Sequence, residues 1–239
     1  MNICIVLKFK SRAKIIFKLI EWLIKKDCNI ELVVAKSLIK KLKIKPNLKP
    51  IIKVSTYIDK EYDFSAYKKY ISKKQTKGVI FINDTFSTYG KSYILLNKIL
   101  NQGIVASKLK SNLPIMIGLS TVSNYHNIYR DSDIIGTNLF FLNRDGIKCF
   151  KSILNSNKIF CVLNAVNEFE NTYYKPKYNK DKIKNQNLIY ETILNNNIKN
   201  KGTLIYIGRG LVEKLSINIE RYYNYGIFLF IEKIKKIII

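Results

Sequence analysis

Asn83, Asp84 and Thr85 set an amide, a carboxylate and a hydroxyl side by side, directly after the apolar run Val79-Ile80-Phe81-Ile82. Oxygen donors of this kind suit a hard divalent cation such as Mg²⁺ or Mn²⁺. Open α/β sheets bind ligands at the ends of their strands, which is where this triplet falls. A single carboxylate makes a weak cation site, and the same residues can also close a strand as an Asx-turn.

Other catalytic equipment is missing. No GxGxxG and no GxxxxGK[ST] occurs, and Lys8–Arg12 stands where a phosphate loop would follow the first apolar run. There is no HExxH and no GxSxG, and His126 is the one histidine. Gly208-Arg209-Gly210 reads as a strand-to-helix connection. Nicotinamide dehydrogenases, P-loop enzymes and most hydrolases therefore lack their parts. Cys4, Cys28, Cys149 and Cys161 form no CxxC pair, which argues against a zinc ribbon and suits a reducing compartment.

The elements that would position Asn83–Thr85 can be read from periodicity. Ile3–Phe9 is a β-branched run, and Ala13–Lys25 carries apolar residues at helical spacing. Asp27-Cys28-Asn29 predicts a turn. Ile30–Ala35 follows as a strand of the buried kind, Ser37–Lys43 as a basic helical turn, and Ile51–Tyr57 as a strand. Asp63–Lys74 predicts a helix with Asp63 at its start. Gly78–Ile82 is the strand that ends at Asn83. Beyond it come a helix over Gly90–Asn101, a strand at Leu113–Leu119, a polar segment over 120–133, and an apolar strand at Ile134–Leu142. The turn Asn143-Arg144-Asp145-Gly146 leads into a helix over Ile147–Leu154. Lys158–Asn164 is apolar, 171–187 reads as a polar loop entering a helix up to Asn196, Gly202–Gly208 as a strand and Leu211–Tyr223 as a helix. This alternation predicts an α/β protein, a mostly parallel sheet flanked by helices with right-handed crossovers.

The charge is large. Lys and Arg number 42 against 17 Asp and Glu, a net charge of +25, with 47% hydrophobic residues. The apolar fraction excludes a disordered chain, and 239 residues suit a single domain. Arginine occurs only at 12, 130, 144, 209 and 221, and the lysines are spread along the chain. A dedicated nucleic-acid binder concentrates charge and uses arginine, so the composition argues for drift toward lysine more than for that partner. Lys8, Lys10 and Arg12 interrupt the first apolar run, which reads against a signal peptide, and no window reaches the length of a membrane span. A cytoplasmic protein is the expectation. The Phe228–Ile239 segment mixes isoleucine with lysine and suits contact with the inner face of an anionic membrane.

Taken together, GVIFINDTFSTYG, PIMIGLSTVSN and DSDIIGTNLFFLNRDGIKCF resemble the small glycosyltransferase-like proteins of bacterial surface-polysaccharide clusters, of the rhamnan-synthesis F type. The matching pieces are Asn83-Asp84-Thr85, Gly118-Leu119-Ser120 and Thr137 through Asn143, over roughly residues 78–150. Ile134-Ile135-Gly136 departs from the histidine or glutamine usual before the small polar residue.

The resemblance implies a GT-A-like (Rossmann-like) single domain over 1–239, with 1–110 as the nucleotide-binding half and 111–239 as the acceptor-side half. It implies transfer of a sugar from a nucleotide-sugar donor to a saccharide or lipid-linked acceptor. On that footing Asn83, Asp84, Thr85 and Arg144 bind the donor, with Asp84 as ligand to a Mn²⁺ or Mg²⁺ ion. Asp131 or Asp133 serves as the base, and Thr137 and Asn138 meet the acceptor. A basic nucleic-acid-binding protein without catalysis, or a transferase-like protein without its metal site, is the alternative.

Overall fold

The computed structural model describes residues 1–58, 63–72, 76–89, 93–109, 112–121, 134–155 and 182–207. The expected segment at Lys158–Asn164, the loop over 171–181, the connection Gly208-Arg209-Gly210, the helix at Leu211–Tyr223, the C-terminal Phe228–Ile239 and the candidates Asp131 and Asp133 lie outside them.

Among the described residues seven strands form one sheet: β1 (Asn2–Leu7), β2 (Asn29–Ala35), β3 (Lys53–Tyr57), β4 (Gly78–Asn83), β5 (Ile115–Thr121), β6 (Ile134–Asn143) and β7 (Thr203–Ile207). Their order across the sheet is β3-β2-β1-β4-β6-β5-β7. Six strands run in one direction. Of these seven, β6 is reversed, pairing antiparallel with both β4 and β5. The α/β class and the mostly parallel sheet expected from the sequence are therefore observed. Residues 3–7 of β1 and all of β4 are buried, as strands covered on both faces must be.

The helices are α1 (Ala13–Ile24), the single turn α2 (Lys36–Ile39), α3 (Asp63–Ile71), α4 (Tyr93–Lys108), α5 (Arg144–Asn155) and α6 (Lys182–Lys201), with 3₁₀ turns at Lys10–Arg12 and Asp84–Tyr89. The connection β1-α1-β2 and the segment from β2 to β3 both step toward the same sheet edge, so right-handedness puts them on one face. The connection β3-α3-β4 steps back and lies on the other. Side-chain contacts agree. Trp22 of α1 meets Tyr93 of α4 with ring centroids 5.1 Å apart. On the opposite face Phe64 and Tyr67 of α3 pack with Phe150 of α5, and Phe64 stacks on Tyr190 of α6 at 4.8 Å.

Strand alternation then sorts neighbouring residues to opposite faces. Phe81 and Phe140 stack at 4.9 Å beneath Tyr67. Phe141, one residue on, turns to the α4 side, where its ring lies so close to Gly78 and Gly103 that a Cβ at either would meet it at 2.6 or 2.8 Å. Cys4 is fully buried between strands and behaves as a small hydrophobe.

Candidate functional site

The first half of the chain steps to one side of β1 and the second half to the other, so the strand order reverses between β1 and β4. At such a point the carboxyl ends of two parallel strands open a crevice that α/β folds use for ligands. Here that crevice is bordered by Lys8–Arg12 after β1 and by Asp84–Tyr89 after β4.

Asp84 is 1% exposed and joins the two borders. Its Oδ2 accepts the backbone N–H groups of Lys8 and Phe9, both at 2.8 Å. Its Oδ1 accepts from Arg12 Nη1 at 2.8 Å, and the same nitrogen donates to Thr85 Oγ1 at 3.0 Å. The Arg12 guanidinium also lies over the Phe9 ring, 4.7 Å from its centroid. Arg12 is thereby held by one nitrogen and one ring face. Its Nε and Nη2 make no bond to the described residues, and a quarter of its side chain is exposed. A guanidinium fixed in this way offers two adjacent N–H directions, the geometry that engages a phosphate bidentately.

These contacts decide how a cation would fare at Asp84. A hard divalent ion needs carboxylate oxygens free to coordinate. Here one oxygen carries two amide protons and the other faces a guanidinium, so the residues around Asp84 do not fit such an ion. Among the described residues no group of three or more His, Cys, Asp or Glu side chains comes together to hold one.

Asn83 points the other way, onto the face shared with Phe81. Its Nδ2 donates to Asp63 Oδ2 at 2.6 Å and to Asn138 Oδ1 at 2.8 Å, and its Oδ1 accepts the N–H of Phe86 at 3.2 Å. The last bond closes the strand end, as an Asx residue is able to. Asp63 opens α3 as the sequence suggests, and its carboxylate reaches across to β4.

Next to Asn138 the β5–β6 ladder breaks. Phe140 pairs with Gly118 and Ile135 pairs with Ser120, so β6 carries extra residues in a bulge. A Cβ on Gly118 would run into Ile135, which is why the strand there has none. Side chains replace the lost ladder partners. Thr137 N–H donates to Glu191 Oε1 at 2.6 Å, and Tyr67 O–H donates to the Thr137 carbonyl at 2.9 Å. Asn195 Oδ1 accepts from Ile135 N–H at 2.8 Å and its Nδ2 donates to the Ile135 carbonyl at 3.0 Å. Bulges of this kind bend a strand and re-aim its side chains beside binding sites.

Burial pushes Glu191 up from its ordinary value to about 7; nearby Asp63 adds to the rise, and bonds from the Thr137 amide and hydroxyl oppose it. Burial likewise raises Tyr67 far above its ordinary range, with Asp63 and Glu191 adding to it. Tyr67 therefore acts as a neutral donor.

The structure thus brings Asn83, Asp84, Thr85, Thr137 and Asn138 to one edge of the sheet. Arg144 is not among them. Because β6 runs in reverse, its last residue Asn143 pairs with Gly78 at the start of β4, and exposed Arg144 stands at the opposite edge. Asn143 itself is structural there. Its Oδ1 accepts the N–H groups of Ile115 and Gly146, and its Nδ2 donates to the Leu113 carbonyl. Arg12, Tyr67, Glu191 and Asn195 are the participants that motif reading passed over. A faint signal existed for the last two: Glu191 and Asn195 are four apart on a helix whose Tyr190, Leu194 and Ile198 are buried.

No protein-family model matches this chain, and no curated protein does. Several solved structures resemble the chain weakly. HddC from Yersinia pseudotuberculosis is 14% identical at a TM-score of 0.38, over 62% of this chain and 78% of that one. The apo-form glycosyltransferase GlyE of Streptococcus pneumoniae TIGR4 is 9% identical at 0.39, over 85% of this chain and 44% of that one. A putative glucose-1-phosphate thymidylyltransferase from Bacillus anthracis, in complex with a sucrose, is 12% identical at 0.43, over 92% and 95%. At these identities and TM-scores the likeness carries no conclusion about this chain.

Proposed function

We propose that this chain is a GT-A-like transferase that takes a nucleotide-sugar donor in the crevice between the carboxyl ends of β1 and β4. The observation that carries the reading is Arg12. Asp84, Thr85 and Phe9 hold its guanidinium in place, and its remaining N–H groups face no described protein partner. Lys8 and Lys10 flank it, so a diphosphate would meet three cations on a loop whose backbone Asp84 has already fixed.

In this reading Asp84 is a positioning residue. It keeps Arg12 pointed into the crevice and neutralises part of its charge, while Thr85 fixes the rotamer. Charge developing on a departing nucleoside diphosphate would be stabilised by Arg12, Lys8 and Lys10. No step is routed through a metal. Asn83 and Asn138 hold the acceptor side together, and the bulge at Thr137 shapes the wall against which a saccharide hydroxyl would sit. Asp131 and Asp133, on the chain leading into β6, stay the candidates for the base an inverting transfer needs. A lipid-linked or free saccharide acceptor in surface-polysaccharide synthesis is the finer form of the proposal, supported by the resemblance of residues 78–150.

The test is a thermal-shift screen against UDP-, GDP-, CMP- and dTDP-sugars, each with and without Mn²⁺, because a ligand that binds the folded state alone raises its apparent stability. One donor class should shift the wild type with or without the ion, and Arg12→Gln should abolish the shift. No shift with any donor would overturn the reading.

A further inference from the structure

The segment from Lys36 to Ile52 holds six lysines, at 36, 40, 41, 43, 45 and 49, and no aspartate or glutamate. All six are exposed, and the next lysine, Lys53, turns to the α3 face beside Glu31. The segment is a chain of tight turns, closed by bonds such as Lys41 N–H to the Leu38 carbonyl, Leu48 N–H to Lys45 and Ile51 N–H to Leu48. It hangs on the sheet by buried Leu38, Leu48 and Ile52, while Ile51 projects and is 55% exposed.

Helix α1 continues this surface. It lies on the same face of the sheet, and Lys45 Nζ reaches Glu21 at 2.6 Å to tie the two together. The outer side of α1 shows Lys14, Lys18 and Ile15, the last 40% exposed. At the carboxyl edge the surface runs on to Lys10 and to Phe9, which is 41% exposed. Acids do not balance it. Residues 1–58 contain three: Glu21 is paired with Lys45, Glu31 is buried with Ser55 and Lys53 as partners, and Asp27 ends α1 at the opposite edge. The other face also carries exposed lysines, among them Lys68, Lys69, Lys151 and Lys199, but they share it with Asp63, Asp145 and Glu191, and Lys148 is paired to Asp145.

We propose that the face formed by α1 and the β2–β3 connection docks on an anionic lipid bilayer. Two features choose a membrane over another polyanion. The cations are lysines, point charges that suit a diffuse charged surface, whereas reading individual phosphates favours the arginine fork. The exposed large apolar residues on this face, Phe9, Ile15 and Ile51, stand among the lysines, where a headgroup layer would cover them and a nucleic-acid backbone would not. Docked in this way, the protein sits with Phe9 and Lys10, at the rim of the β1–β4 crevice, next to the lipid surface. The inference stands on this surface alone and does not depend on the transferase reading.

The experiment is vesicle flotation at about 0.1 M salt. It compares phosphatidylcholine alone with equal parts of phosphatidylcholine and phosphatidylglycerol. Wild type should float with the anionic vesicles, stay behind with the neutral ones, and be released as salt rises. The triple variant Lys40→Glu/Lys41→Glu/Lys43→Glu should lose binding by about 100-fold or more, since each lysine near such a surface is worth several-fold. The same three reversals on the other face, Lys148→Glu/Lys151→Glu/Lys199→Glu, should lose far less. Ile51→Ser with Ile15→Ser should weaken flotation several-fold while binding to a single-stranded oligonucleotide is unchanged, a comparison that serves even if the triple variant fails to fold. Absence of flotation with anionic vesicles overturns the proposal. So does equal loss from the two triple variants, or vesicle binding that is indifferent to the isoleucines and matched by the oligonucleotide.

Discussion

Asn83 and Asp84 are adjacent in the chain and serve opposite faces of the sheet. Asp84 belongs to a cationic network of backbone amides and one guanidinium beside β1. Asn83 belongs to a neutral-to-acidic network with Asp63 and Asn138, a few ångströms from Thr137 and Glu191. Strand alternation produces the split. One short stretch thereby builds two walls of unlike charge at a single sheet edge. A transferase that must hold an anionic donor on one side and a neutral hydroxyl on the other would use such an arrangement.

The comparison can be broken most severely at Asp84. Asp84→Ala leaves two amides and a largely buried guanidinium without their acceptor, and should cost about 3–4 kcal/mol in urea unfolding. Unchanged stability would show that the β1 loop does not depend on the clamp.

Glu191 tests the other wall through pH. Its ordinary value near 4.5 rises to about 7 in the folded chain. Its favourable contribution is therefore full below about 4.5 and is lost as pH climbs through 7, because the folded state must then carry the buried charge. Stability should fall by at most about 3 kcal/mol across that window, and Glu191→Gln should remove that part of the pH dependence. A flat profile in the wild type would contradict the burial of this carboxyl.

Asn83→Leu keeps the volume and deletes the bridge between Asp63 and Asn138. It should cost about 2 kcal/mol by chemical denaturation, and the donor-induced thermal shift should survive, since the cationic wall is untouched. Losing the shift as well would mean that the two walls are coupled. The mildest change is Arg12→Lys. It retains the charge and loses the fork, so stability should move by about 1 kcal/mol or less while affinity for a diphosphate donor, read by calorimetry, drops about tenfold.

The predicted elements lie close to the observed ones because each rests on a local period. Ala13–Ile24 forms with its apolar stripe inward, and Gly78–Asn83 is fully buried as its unbroken VIFI run suggests. The Ser37–Lys43 helix shortens to one turn, since its lysines offer no continuous apolar face and Pro46 follows closely. The helix expected at Gly90–Asn101 runs instead from Tyr93 to Lys108, with buried Gly103 packed against Phe141. At the site, the sequence picked out Asn83–Thr85, Thr137 and Asn138, which do meet. It also grouped Arg144 with them, and missed Arg12 and Glu191. Arg144 was misplaced because sequence patterns do not specify that β6 runs backwards, and Arg12 and Glu191 were missed because only long-range contacts bring them to Asp84 and Thr137.

Local chemistry therefore determined the strands, most helices and the triplet at the end of β4, since side-chain period and turn residues act over a few positions. Which of those residues face one another was decided by the tertiary structure alone. Reversing β6 sends Arg144 to the far edge and brings Asn138 to Asn83. Packing α6 under the bulge supplies Glu191 to Thr137, and closing the β1 loop hands Arg12 to Asp84. Each of these contacts joins residues more than fifty apart in the chain. Only the order and direction of strands across the sheet can set such distances.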